Sequence, residues 1–182
     1  MFSIPAFLAW ITFVAILLLS FIPFDGYKPI LIAFLVLEFL KSRIIKLISL
    51  PFGPTSIAKF INNLGLEFVT VGSLVAGVLY GPFIGAAFGG ICMLTHYLGR
   101  HYFSVYSAVN IPMYIIFGAL AAALSLDNLL TAGIIFNIGF LIVTNFILFL
   151  VLHPKMQNVL FFAITNVFLN IAILNITYPM IA

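Results

Sequence analysis

Residues 77–99 read GVLYGPFIGAAFGGICMLTHYLG, and the fold follows from how that stretch is understood. Gly77, Gly81, Gly85 and Gly89 recur every fourth residue, and Pro82 directly follows the second of them. Two apolar helical runs therefore meet at a tight break whose flanks carry almost no side chain. In a bilayer the hydrophobic effect cannot press one apolar helix onto another. Association relies instead on small residues that let backbones reach van der Waals contact. Gly85-Ala86-Ala87-Phe88-Gly89-Gly90 is such a small-xxx-small pattern, so Gly77, Gly81, Gly85 and Gly89 are the expected helix-packing positions and the hairpin the packing centre of a polytopic membrane protein.

Composition supports that reading. Of 182 residues, 65% are hydrophobic and 6% charged, against about 25% charged in soluble domains. A water-facing surface cannot be made from so few charges. The net charge of +3 does not point to nucleic acid, because the positive residues are sparse and sit near the ends of apolar runs, where they fix topology at a membrane surface. Cys92 is the single cysteine, so no intrachain disulfide or thiolate cage can form. Residues 1–23 lack a basic leading segment and a small-x-small cleavage site, so they are expected to be a retained helix rather than a signal peptide.

A membrane helix needs about 20 apolar residues, and seven stretches approach that length. They run from Phe2 to Ile22, from Ile30 into an amphipathic half after Glu38, and over Phe68–Tyr80, Phe83–Leu98, Val105–Leu124, Leu129–Leu152 and Val159 to about Pro179. Asp127 or Asn128 is placed to cap the sixth. Lys41, Arg43 and Lys46 are expected to snorkel to headgroups. Pro51–Ser56 breaks the second span, and residues 57–67 form a mixed linker lying against the bundle. The expected fold class is an all-α polytopic helical bundle. One integral membrane domain covers residues 1–182, with residues 1–28 as an extra N-terminal helix and turn before a six-helix core over 29–182.

With seven spans, Lys41, Arg43, Lys46, Lys59, Arg100 and Lys155 share the side of the amino terminus, and Lys28 lies on the other with Asp25 and Asp127. That bias predicts a cytoplasmic amino terminus in the cell membrane.

Polar groups within the apolar spans are the chemical handles, since in hydrocarbon they face the bundle interior or an aqueous cavity. Tyr106, Asn110 and Tyr114 follow one another at four-residue spacing on the fifth span, with Pro112 among them; Asn137, Thr144 and Asn145 lie on the sixth, and Asn158, Asn166 and Asn170 on the seventh. Aromatic walls and carboxamides suit a flat, uncharged polar molecule. The same asparagines also serve to hold helices together by bonding to one another, at roughly 0.6 kcal/mol per contact. Glu38 pairs locally with Lys41, and Glu67, at the entry to the third span, is placed to meet a cationic ligand or a basic partner or to serve structure alone. The candidate ligand-binding set is Glu67, Tyr106, Asn110, Tyr114, Asn145, Asn166 and Asn170.

No metal is expected from His96, His101 and His153, which have no carboxylate or cysteine beside them in sequence. No catalytic residue and no cofactor is expected either. The four acids are scattered, and there is no zinc-protease pattern, phosphate-binding loop or Ser/His/Asp trio. Asn175-Ile176-Thr177 matches a glycosylation acceptor by chance, inside the last span.

Residues 74–89, LVAGVLYGPFIGAAFG, resemble the apolar run through Gly-Pro into a glycine-spaced helix of the substrate-binding S components of energy-coupling factor (ECF) vitamin transporters. The likeness extends loosely over residues 30–182, to Phe162-Ala163-Ile164-Thr165-Asn166 in the last span. It implies a six-helix core that binds a vitamin-like small molecule between the 51–67 linker and the last three helices, and partners comprising a coupling membrane subunit and ATPases. Two features differ from the usual S component: the first core helix is bulky and basic where alanine-rich faces are usual, and the charge count puts the linker inside where S components have it outside. The hairpin is also similar to that of the rod-shape-determining D-type membrane proteins, which implies the alternative of a non-catalytic scaffold or accessory subunit of a larger membrane complex.

Overall fold

A computed structural model describes residues 20, 26–52, 67–100, 103–154 and 156–182. The first span, most of the linker with Lys59, and also His101 and Lys155, lie outside the described residues. The described elements are all helical: α1 (Lys28–Phe52), α2 (Phe68–Tyr80), α3 (Pro82–Arg100), α4 (Val105–Ala121), α5 (Leu129–Leu152) and α6 (Met156–Ile181), with a 3-10 turn at Leu126–Asn128 before α5. Three helical segments are long and apolar enough to cross a membrane, namely Pro82–Arg100, Leu126–Leu152 and Met156–Ile181, while α2 and α4 are shorter apolar helices.

The expected boundaries of the third and sixth spans coincide with α2 and α5. α6 continues through Pro179 to Ile181. Asn128 takes the cap position of α5 but makes no side-chain cap hydrogen bond, because the 3-10 turn already leads the chain into the helix. At the far end of α5 the chain turns at His153, whose φ of 49° is left-handed and whose N–H donates to the Phe149 carbonyl at 3.1 Å.

Glycines fix the centre, though not all four in the expected way. A Cβ on Gly85 would fall on the carbonyl oxygen of Gly118 in α4, and one on Gly118 would fall on the carbonyl of Gly85. Gly77 meets the same Gly118 oxygen, with the Ala121 Cβ at 2.7 Å, and Gly89 abuts the Tyr114 carbonyl. The seam therefore receives α4 into the hairpin of α2 and α3. Gly81 is the exception. A Cβ there meets nothing within 4 Å, and its φ of 88° shows that it makes the turn between α2 and α3 rather than packing; that left-handed backbone is where glycine costs least.

α1 flanks this three-helix platform through Leu31, Phe34, Leu35 and Phe39, all buried. α5 and α6 pack against it on one face only. The buried stripe of α5 is Leu129, Gly133, Asn137, Phe140, Leu141, Thr144 and Leu148, and that of α6 is Asn166, Asn170, Leu174, Thr177 and Ile181. Their outer faces carry exposed Ile135, Ile142, Phe146, Phe168 and Ile176. Amides inside and large apolar side chains outside invert the soluble pattern and are compatible with lipid as the solvent.

Substituting Gly118→Leu is expected to destabilise the bundle by about 1–3 kcal/mol or more through overpacking, read as loss of the monodisperse peak and a lower unfolding midpoint in detergent. Gly139→Ala, at a position with nothing within 4 Å of the added Cβ, is expected to leave both unchanged.

Candidate functional site

Two polar networks meet where α2 begins. The first centres on Glu38, fully buried in the middle of α1. Its Oε1 lies 2.5 Å from Lys41 Nζ and 2.5 Å from His96 Nδ1 of α3. Ser42 Oγ stands 3.4 Å from the same oxygen and 3.3 Å from the His96 ring. Glu38 Oε2 accepts the backbone N–H of Phe68 at 2.9 Å, satisfying one of the amides that a helix N-terminus leaves without an intrahelical partner. The ion pair with Lys41 is thus present, but the lysine does not snorkel: it is 7% exposed, held inward by the carboxylate one turn away. No sequence neighbour of His96 is acidic, yet the fold sets Glu38 beside it; among the described residues no group of three His, Cys, Asp or Glu comes together.

The second network begins one residue earlier. Glu67 precedes the first residue of α2 with extended backbone, so its carboxylate turns into the bundle, where it is 6% exposed. Tyr114 of α4 donates its hydroxyl to Glu67 Oε2, and Asn166 of α6 donates Nδ2 to the same oxygen at 3.3 Å. Thr70 Oγ1 lies 3.1 Å from the Tyr114 hydroxyl, and Asn170 Nδ2 donates to Asn166 Oδ1 at 2.6 Å. The rings around it are apolar: Tyr114 meets Phe140 edge-on at 5.1 Å, and Phe117 stacks on Phe136 at 4.9 Å.

Helix register brings α5 into the same layers. A Cβ on Gly133 would meet Leu74 Cδ2 at 2.8 Å and Leu174 Cδ2 at 3.6 Å, so these three residues share a level. Asn137 and Phe140 stand about one and two turns from Gly133 along α5, as Asn170 and Asn166 do from Leu174 along α6 and Thr70 and Glu67 from Leu74 along the start of α2. Thr144 follows one turn beyond Phe140. Three buried atoms of this stripe have no hydrogen-bond partner: Asn137 Oδ1, Thr144 Oγ1 and Asn170 Oδ1. Buried polar atoms are satisfied in the great majority of cases, so each orphan calls for an occupant, protein, water or ligand. A fourth orphan, Arg100 Nε, belongs to the last residue of α3 and to no hydrogen bond of this network.

Four of the seven candidate ligand-binding residues, Glu67, Tyr114, Asn166 and Asn170, are therefore joined. Three are not. Tyr106 is 41% exposed on α4. Asn110 turns to α3, donating Nδ2 to the Tyr97 hydroxyl at 2.9 Å. Asn145 is half-buried in an apolar groove between α5 and α6, of about 660 Å³, with Leu141, Phe149 and Leu160 in its walls. Residues four apart on a helix drift by 40° per step, so eight residues carry the stripe from the Tyr114 face round to the outside. Thr70 escaped the sequence reading; its signal was a hydroxyl one turn from Glu67. Asn175 donates Nδ2 to the Ile171 carbonyl and Thr177 is buried, which puts that tripeptide within α6.

Comparison with known protein families, curated proteins and solved structures returns no match for this chain.

Removing one partner of the Glu38 cluster strands the other charge. Glu38→Ala is expected to cost about 3–5 kcal/mol, measured by denaturant unfolding in detergent. Glu38→Met combined with Lys41→Met is expected to recover part of that loss, the remainder being the orphaned Phe68 N–H.

Proposed function

We propose that this chain is the membrane-embedded, substrate-binding subunit of a small-molecule transporter, a seven-span bundle of the ECF S-component kind. Residues 30–182 form its six-helix core and residues 2–22 its additional span. The observation that carries this reading is the hydrogen-bonded convergence of Glu67, Tyr114, Asn166 and Asn170 from α2, α4 and α6. A carboxylate within a membrane bundle is expensive to keep, and such residues mark solute and ion pathways. Holding three helices together would need no acid. The orphaned oxygens of Asn137, Thr144 and Asn170 on the buried stripes of α5 and α6 add recognition capacity.

On this reading the subunit performs no chemistry on its solute, and other membrane subunits, a coupling protein and ATPases, supply the energy. The six basic residues expected at one face place the amino terminus in the cytoplasm; with Lys41 buried against Glu38, the remaining five carry that bias. A second reading, an accessory or scaffold subunit, is favoured by Asn145. An amide in an apolar groove that opens outward suits a polar side chain of a neighbouring membrane helix.

The full chain purified in lipid nanodiscs is expected to release, on denaturation, a small molecule of defined mass identified by mass spectrometry. Asn166→Ala is expected to lose it while still eluting as a folded species. No such compound from the unmodified chain, with unchanged stability of the Asn110→Ala, Asn166→Ala double variant, would leave the scaffold reading in its place.

Orientation has its own check: a cysteine at position 59 is expected to resist an impermeant thiol reagent added to intact cells. Labelling from outside would reverse the topology.

A further inference from the structure

The hydrogen-bond arithmetic of the site deepens the solute-binding reading on which it rests. An ionised carboxylate only accepts. Asn166 must therefore present Nδ2 to Glu67, which turns its Oδ1 toward Asn170; Asn170 must then donate Nδ2 and is left with Oδ1 unspent. With Glu67 ionised, the orientations of the Asn166 and Asn170 amides follow from the carboxylate, not from a choice between look-alike atoms. The proton of Tyr114 is committed to Glu67 as well, so Thr70 donates to the Tyr114 oxygen. Each of the two carboxamide nitrogens makes its bond within this network with one of its two N–H groups.

The buried atoms of these stripes that have no partner are all oxygens. Asn170 Oδ1 and Asn137 Oδ1 are bare acceptors on side chains 4% exposed, and Thr144 Oγ1, on a side chain 6% exposed, adds a third oxygen. Asn170 is bonded to Asn166, which donates to Glu67, and Asn137 and Thr144 each stand about one helical turn from Phe140, whose ring meets Tyr114. A group that brings several N–H donors and a positive charge completes the set.

We propose that this site takes a small organic cation with a primary ammonium head group. The three N–H bonds of an ammonium would pair with a Glu67 carboxylate oxygen and the Oδ1 atoms of Asn137 and Asn170. Charge-assisted bonds to a carboxylate are stronger than neutral ones, so Glu67 supplies most of the affinity and the two amides supply direction. The Tyr114 and Phe140 rings form the apolar wall.

The experiment uses the full chain in nanodiscs, with thermal unfolding and calorimetric titration. The probes are methylammonium, tetramethylammonium, sodium and acetamide at matched ionic strength. Methylammonium is expected to raise the unfolding midpoint saturably. Tetramethylammonium, a cation without N–H, and sodium are expected to do so far less. Glu67→Gln, nearly isosteric, is expected to weaken methylammonium binding roughly tenfold or more. Asn137→Asp, which adds a charge at an unpartnered oxygen and removes no hydrogen bond of this network, is expected to fold and to bind it at least as well, which separates loss of a contact from loss of the fold. A sodium response equal to that of methylammonium, or unchanged methylammonium binding by Glu67→Gln, would overturn the proposal. Saturable stabilisation by acetamide with none by methylammonium would also overturn it, yet leave solute binding standing. Silence toward every probe, together with no co-purified compound, would sink both.

Discussion

The backbone of α3 touches the backbone of α4 at Gly85 and Gly118, and the rest of the bundle takes its spacing from that contact. Helices in lipid gain nothing by hiding apolar surface from one another, so between them the gain comes from close contact and its many small dispersion terms. Glycine on both sides is what allows it. Gly77 brings α2 to the same carbonyl, and Gly89 seats α3 against the carbonyl of Tyr114. The seam therefore fixes where the Tyr114 ring leaves α4, and so whether its hydroxyl meets Glu67. A hydrogen bond tolerates a few tenths of an ångström, and an added methyl anywhere along the seam would displace α4 by more. The glycine packing thereby sets the geometry of the Tyr114–Glu67 contact.

The bundle is unevenly built. α1 to α4 interlock through Leu31, Phe34, Val75, Phe88 and Phe117, whereas α5 and α6 touch them along single stripes and leave Phe146 and Phe168 outside. Asn137, Thr144, Asn166 and Asn170 lie on those stripes. Hydrogen bonds between membrane helices contribute only about 0.6 kcal/mol each, so the amides do little to clamp α5 and α6. Their placement gives a firm half that holds the carboxylate and a lightly held half that supplies the remaining oxygens.

Much of this was legible in the chain because punctuation and hydropathy are local. Gly81-Pro82 marked the hairpin, and the extents of α2 and α5 followed from where apolar runs stop. The amide stripes on α6 were readable by counting, since Asn166 and Asn170 are neighbours on one helix face. Partners across helices were not. Gly118 sits in a plain run of alanines and leucines, and nothing near it announces that Gly85 will meet it. His96 and Glu38 are 58 residues apart, so the carboxylate beside that histidine had no sequence signal. Lys41 looked like a headgroup contact because its neighbours alternate basic and apolar; one turn of helix back to a buried Glu38 reversed its direction. Gly81 shared the period of its neighbours while its backbone φ gave it another task.

Glu38 and Glu67 act on the two ends of one peptide unit. Glu38 holds the N–H of Phe68, and Glu67 is the residue whose carbonyl carbon that nitrogen is bonded to. A rotation of the Glu67 backbone that followed its side chain toward a new partner would swing the Phe68 N–H away from Glu38 Oε2, at the cost of a charged hydrogen bond. Lys41 and His96, both on Glu38 Oε1, would then hold that carboxylate from one side only. The reverse also holds: with Glu38 pinned by two helices, the start of α2 is fixed and the Glu67 carboxylate is presented to Tyr114 and Asn166 without choosing among backbone conformations. The buried ion pair therefore gives the second carboxylate a fixed origin. That is a use for two buried acids in a chain with four in all, one spent on holding the other in place.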